Sequence, residues 1–254
     1  MRHSEEFHMH TAARMLVAAS LLISVPARPS FAQAPVDPSG HWTGAIHVPS
    51  FNGAGSREVA IEIDLAASAG GVFTGTFSQP DQNVKGLPLS NVSRDGQTVS
   101  FEIRTSGGGV FRGTQGDASS ISGEFVTTQG GFNIPFDLKR SGEARIAARP
   151  KSPQISKDLE GTWNGTIEVG GKTERLVLKM TNESDGTAVG TIQDIDGSNV
   201  EIPVAMTQKA SSVTIDLAVV GASYSAVLNA DNDLVGTWTQ GPLNLPVTFK
   251  RVSK

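Results

Sequence analysis

The chain has 254 residues, a net charge of −4, no cysteine, 28 glycines and only 18% charged residues. A mildly acidic protein has no field to hold a polyanion, so nucleic acid is not an expected partner, and without thiols no disulfide can stabilise the fold. High glycine with few charged residues points to many short strands and tight turns.

Residues 1–34 read as an export signal. Arg14 precedes the apolar run Leu16–Val25, which is too short to span a bilayer, and Pro26 breaks it. Ala32-Gln33-Ala34 supplies the small residues of a cleavage site. Glu5 and Glu6 are unusual in a segment that should be positive, so Met9 and Met15 are alternative starts to Met1. No cysteine stands at the cleavage site, so no lipid anchor is expected. The mature chain then holds 18 basic and 23 acidic residues, a net charge of −5. The expected location is the periplasm or the medium, with no membrane segment left after cleavage.

Residues 35–140 form a first run of alternating segments. Gly40-His41-Trp42-Thr43-Gly44 opens it, and Val59–Ile63, Gly75–Phe77, Leu87–Leu89, Val99–Ile103, Phe111, Gly123–Phe125 and Ile134–Phe136 follow, ending in Lys139-Arg140. Residues 141–157, with Pro150 and Pro153, read as a semi-rigid linker, and a short helix over 143–148 is the alternative. Residues 158–254 repeat the first run. Gly161-Thr162-Trp163-Asn164-Gly165 opens it. Strands are expected around Leu176–Met180, Val189–Ile192, Val200–Val204, Val213–Leu217, Tyr224–Val227, Leu234–Trp238 and Leu245–Arg251. The offset between the copies falls from 121 at Trp42/Trp163 to 111 at Arg140/Arg251, with the extra residues of the first copy mostly in the Pro49–Ser56 and Ser106–Gly109 loops. Glycine, aromatic, proline and basic positions recur in one order. The expected fold is all-β: two tandem eight-stranded antiparallel up-and-down barrels. A barrel removes the edges that a sandwich would leave exposed.

The opening Gly-x-Trp and closing Lys-Arg of each copy resemble the two ends of a lipocalin-type or avidin-type barrel. The resemblance implies that the first-strand Trp plugs one end beneath a basic side chain of the last strand, here Trp163 with Arg251 and Trp42 with Arg140. An Arg guanidinium stacks well on an indole face. Each repeat as a whole, from Gly161-Thr162-Trp163 through Gly236-Thr237-Trp238-Thr239-Gln240-Gly241 to Lys250-Arg251, is similar to a β-rich module that precedes the catalytic domain of exported bacterial α/β-hydrolases of the serine aminopeptidase and esterase type. The second copy fits it best; the first departs at His41, at Phe125 in place of the second Trp, and in loop length. The resemblance implies a fold and a compartment, and it does not extend to a hydrolase domain.

Catalytic signatures are sparse. No Gly-x-Ser-x-Gly elbow occurs, and the only histidines after residue 34 are His41 and His47, read as solvated strand residues. Asp194, Asp196, Asn199 and Glu201 have the alternating oxygens of a calcium loop, but also the composition of a hairpin turn, and no metal or other cofactor is expected. Ser106–Gly109 lacks the lysine and helix of a phosphate loop. Candidate ligand-binding residues, in a lumen or at an end plug, are Trp42, Phe125, Arg140, Trp163, Tyr224, Trp238 and Arg251. Ala188, Gly190, Ala205, Ala218, Ala222 and Ala226 leave room for a cavity or suit a tightly closed barrel. A non-catalytic protein is therefore expected, which either holds a small apolar ligand or serves as an accessory to a separately encoded exported hydrolase. A hydrolase of unrecognised type is the remaining alternative.

Overall fold

Apolar residues at every second position give a strand one face that must be buried, and here that rule repeats through two sheets, one closed and one nearly so. The computed structural model describes residues 36–50, 55–105 and 107–253. The export-signal expectation, residues 51–54 of the Pro49–Ser56 loop and Ser106 lie outside them. The first sheet contains β1 (Gly40–Pro49), β2 (Ser56–Ala67), β3 (Phe73–Gln79), β4 (Val84–Pro88), β5 (Ser90–Asp95), β6 (Thr98–Ile103), β7 (Gly109–Asp117), β8 (Ser120–Thr127) and β9 (Asn133–Gly142). The second contains β10 (Ser152–Pro153), β11 (Gly161–Val169), β12 (Lys172–Asn182), β13 (Thr187–Asp194), β14 (Glu201–Lys209), β15 (Ser212–Leu217), β16 (Ala222–Leu228), β17 (Asp233–Gln240) and β18 (Leu243–Ser253).

Consecutive strands pair antiparallel, and the first and last strand of each copy meet, β1 with β9 and β11 with β18. In the second copy β13 also pairs with β14, from Gly190↔Val204 to Gln193↔Glu201, so β11–β18 close an eight-stranded barrel. In the first copy the equivalent run is broken. β4 pairs with β3, β5 pairs with β6, and Asn91 at φ 51 marks the irregularity between Ser90 and Ser93. Taken as two halves of one run, β4 and β5 make the expected eight strands, nearly closed. Among the described residues no helix is long and apolar enough to cross a membrane.

The stretch read as a linker is built into the barrels. β9 continues through Ser141 and Gly142, and no helix forms at 143–148. Ser152 pairs with Ala188, its Oγ accepts from the Met206 amide at 2.7 Å, and Ile155 and Leu159 are buried in the second core. A two-residue strand and isolated apolar residues carry no periodicity, so composition alone pointed to a linker.

Each Trp end is closed by the segment that leads into it. Trp42 Nε1 donates to the Pro38 carbonyl at 2.9 Å, and Trp163 Nε1 to the Leu159 carbonyl at 3.0 Å, four residues back in both copies. Arg140 stands opposite Trp42 in register and donates to the Ser39 carbonyl. Arg251 stands opposite Trp163 with its guanidinium carbon 4.5 Å from the ring centroid.

The lumens differ in content. In the first barrel Phe111 packs against Phe101, Phe125 and Phe136 at ring-centroid distances of 4.9, 4.4 and 5.0 Å. The second barrel has Ile215 for Phe101 and Val247 for Phe136, so two rings of that cluster are replaced by aliphatic side chains. Tyr224 fills the centre instead. Its ring meets Phe249 edge-on at 5.3 Å, and its hydroxyl lies 2.8 Å and 3.0 Å from the Leu234 and Val247 carbonyls, to which it donates. Burial pushes this phenol above its ordinary pKa. Tyr224→Phe is expected to cost about 1–2 kcal/mol, because the carbonyls lose a buried donor. Urea unfolding measures it, and an unchanged midpoint would show that the hydroxyl carries no stability.

Candidate functional site

The second barrel is plugged at its Trp163 end and hollow at the other. Along β12, Leu176, Leu178 and Met180 face the lumen, and Tyr224 and Phe249 block its middle. Beyond them lies a cavity of about 300 Å³. Ile167 and Val169 of β11, Leu176 of β12, Ile192 of β13, Leu217 of β15 and Leu245 of β18 line it, with Trp238 of β17. Leu87 and Thr105 of the first barrel border its mouth, beside Ile202 and Val220. Ile202 and Val219 pack against the first core, so the two barrels share apolar surface where the cavity opens.

Two acidic side chains stand at this mouth, Glu174 and Asp194. Glu174 keeps the lumen-facing phase of β12, one step beyond Leu176, and is paired across the strand with Ile167. Asp194 keeps the phase of Ala188, Gly190 and Ile192 on β13, and is paired with Leu176. Burial, followed by the negative charge of Asp194, raises the Glu174 carboxyl above its ordinary pKa, with Lys172 opposing. Sequence reading missed Glu174. The signal was available: an acid in the inward phase of β12, next to the apolar run Leu176, Leu178 and Met180 on that face.

Of the seven ligand candidates, Trp238 alone lines this cavity. Trp42, Arg140, Trp163 and Arg251 form the opposite plugs, Phe125 belongs to the first barrel's ring cluster, and Tyr224 fills the second barrel's centre, paired across the strand with Trp238. Among the small residues, Ala188, Ala222 and Ala226 are buried in the second core, whereas Ala205 and Ala218 face a cleft outside the lumen.

The calcium-loop quartet is a turn, and its oxygens already have protein donors. Asp194 Oδ1 accepts from the amides of Asp196 and Gly197, and Asp196 is held by the Arg175 guanidinium with its pKa lowered to about 2. Asn199 Oδ1 accepts from Gln193 Nε2 at 2.9 Å, and Glu201 pairs with Lys179 Nζ at 2.5 Å. No cluster of three or more potential metal ligands occurs among the described residues.

His41 corrects the solvated reading. His41 is buried, with Nδ1 2.9 Å from Asp64 Oδ1, and Asp64 also accepts the Arg145 amide at 2.7 Å. The chain after β9 covers this outward face, which strand alternation cannot foresee. His41 and Asp64 lie on a cleft of about 530 Å³ between the barrels, together with Thr76, Lys85 and Asp216. His47 is partly exposed, with Nε2 2.5 Å from Asp137.

No family model and no curated protein matches the chain. Among solved structures it is similar to a Nostoc punctiforme protein of unknown function from the DUF3598 family, at 17% identity and a TM-score of 0.27, covering 85% of this chain and 96% of that one. It is also similar to a Bacteroides fragilis chain provisionally named an outer membrane protein, at 13% identity and a TM-score of 0.29, covering 85% and 97%. Both similarities are remote.

Proposed function

We propose that this chain is an exported, non-catalytic binding protein that holds a small apolar molecule in the open end of its second barrel. The observation that carries this reading is the cavity of about 300 Å³ with aliphatic walls and Trp238 on its lining. A concave, mostly apolar site with a few polar groups at its rim suits a small ligand better than a filled barrel would. The first barrel, packed with phenylalanine, supports the mouth of the site and binds nothing in its lumen. Export rests on the signal-like segment 1–34. The non-catalytic reading rests on the missing nucleophile elbow and on histidines that do not line the cavity.

Native mass spectrometry of the protein purified from its own periplasm or medium tests the proposal. A reproducible extra mass that disappears on organic extraction is expected. Leu245→Trp, which enlarges a half-buried wall residue beside Trp238, is expected to remove that mass while the barrel stays folded by far-UV circular dichroism. A bare polypeptide mass, together with unchanged tryptophan emission against a panel of apolar compounds, would overturn the reading.

A further inference from the structure

We infer that the molecule held in the second barrel is an apolar cation, with its tail among the lumen residues and an ammonium-type head at the mouth between Glu174 and Asp194. This rests on the binding reading above and specifies the chemistry of the ligand. The walls of the cavity decide the tail: Ile167, Leu176, Ile192, Leu217 and Trp238 offer apolar surface without hydrogen-bonding demand, Trp238 apart. The rim decides the head. Both charged residues on the lining are acidic, and no lysine, arginine or histidine is among them.

Two of the nearby basic side chains are committed elsewhere. Arg175 grips Asp196, and Lys179 pairs with Glu201. Lys172, two residues before Glu174, lines the outer polar surface together with Glu102, Arg104, Glu174 and Asp196, and its charge acts on Glu174 from the solvent side. Asp194 uses Oδ1 to cap the turn, and its Oδ2 has no hydrogen-bond donor among the described residues. The Glu174 carboxylate has neither a hydrogen bond nor an ion pair among the described residues. Strand register places both residues in the lumen-facing phase, Glu174 two residues before Leu176 and Asp194 across from it, with the Asp194 carboxylate folded over the Gly197 turn at the rim. Two like charges on half-buried positions repel each other, and the raised Glu174 pKa reflects burial first and that repulsion second. A cation bound between them would relieve it; a carboxylate ligand would add a third negative charge.

Three ligands with one tail test this: octylamine, octanol and octanoate, titrated calorimetrically into the purified chain at pH 7.5. Octylamine is expected to bind about tenfold more tightly than octanol, and octanoate more weakly than octanol. Glu174→Gln, which keeps the side chain's shape, is expected to remove most of the amine preference while leaving octanol affinity within about twofold. Lowering the pH towards 4.5 on the unmodified protein gives the same readout without a substitution. The raised Glu174 pKa brings this carboxyl to protonation as the pH falls, with Asp194, Asp196 and Lys172 the charged groups around it, and the amine preference should shrink as Glu174 is neutralised. Octanoate binding as tightly as octylamine would overturn the inference, as would an amine preference that survives Glu174→Gln combined with Asp194→Asn. Equal binding of octylamine and octanol would overturn the cationic head but leave the apolar site standing. If none of the three binds, the binding reading falls with it.

Discussion

Trp163→Ala is expected to destabilise the second barrel by about 3–5 kcal/mol, the range for emptying a buried tryptophan site. The indole is fully buried, donates to the Leu159 carbonyl, and lies against the Arg251 guanidinium. Arg251 makes the site unusual: its Nε and Nη1 are buried without a hydrogen-bond partner among the described residues. The face of the indole is then the main compensation for a cation withdrawn from water. Removing the ring therefore loses packing, strands a carbonyl, and leaves a desolvated charge with nothing opposite it.

Urea unfolding followed by far-UV circular dichroism gives the loss. Trp163→Phe keeps a ring face and should cost only about 1–2 kcal/mol. Arg251→Met should be close to neutral, since exchanging a poorly paired buried cation for an apolar side chain removes a desolvation penalty. The cycle combining Trp163→Ala and Arg251→Met should return a coupling of about 1–2 kcal/mol. A Trp163→Ala protein within about 1 kcal/mol of the parent would show that the end plug is dispensable.

Gly44→Ala is expected to cost about 3 kcal/mol, the upper part of the overpacking range, for a single added methyl group. Gly44 lies where β1 meets β9, opposite Leu138. A Cβ there would sit 1.9 Å from the Asp137 carbonyl oxygen and 2.9 Å from the Leu138 Cα, so backbone must move at the seam that closes the first barrel. Its counterpart in the second barrel, Gly165, is limited by a side chain instead: the nearest atom is Cδ1 of Phe249 at 2.8 Å. A ring can tilt, so Gly165→Ala should cost only about 1 kcal/mol. Thermal unfolding of both variants separates the two cases. Equal losses would mean that the strand seam has slack the close approach does not suggest.

These two glycines belong to the same repeated Trp-x-Gly signature, which shows how far a sequence motif reaches. The repeat identified Gly44 and Gly165 as equivalent, but it could not tell that one faces a carbonyl and the other a ring. The same holds for the histidines. His41 sits on the outward phase of β1, where alternation predicts solvent, and the chain beyond β9 buries it against Asp64. Segment 151–160 behaves alike, since Ile155 and Leu159 plug the second barrel without any periodic pattern.

Period-two alternation, turn residues and the internal repeat by themselves determined the strands, their antiparallel order and their gathering into two barrels, while the pairing of Trp163 with Arg251 came from the resemblance to lipocalin-type barrel ends. The strands, their order and the barrels follow from local geometry and from a register that a one-residue slip would invert. Only the tertiary structure decided that a cluster of phenylalanine rings occupies the first lumen and that the second is hollow at one end, that Trp238 alone of the candidate residues lines the cavity, and that Glu174 and Asp194 flank its mouth. Strand phase says which way a side chain points. It does not say how the volumes of eight strands add up at one height of a barrel, and that sum determines where space for a ligand remains.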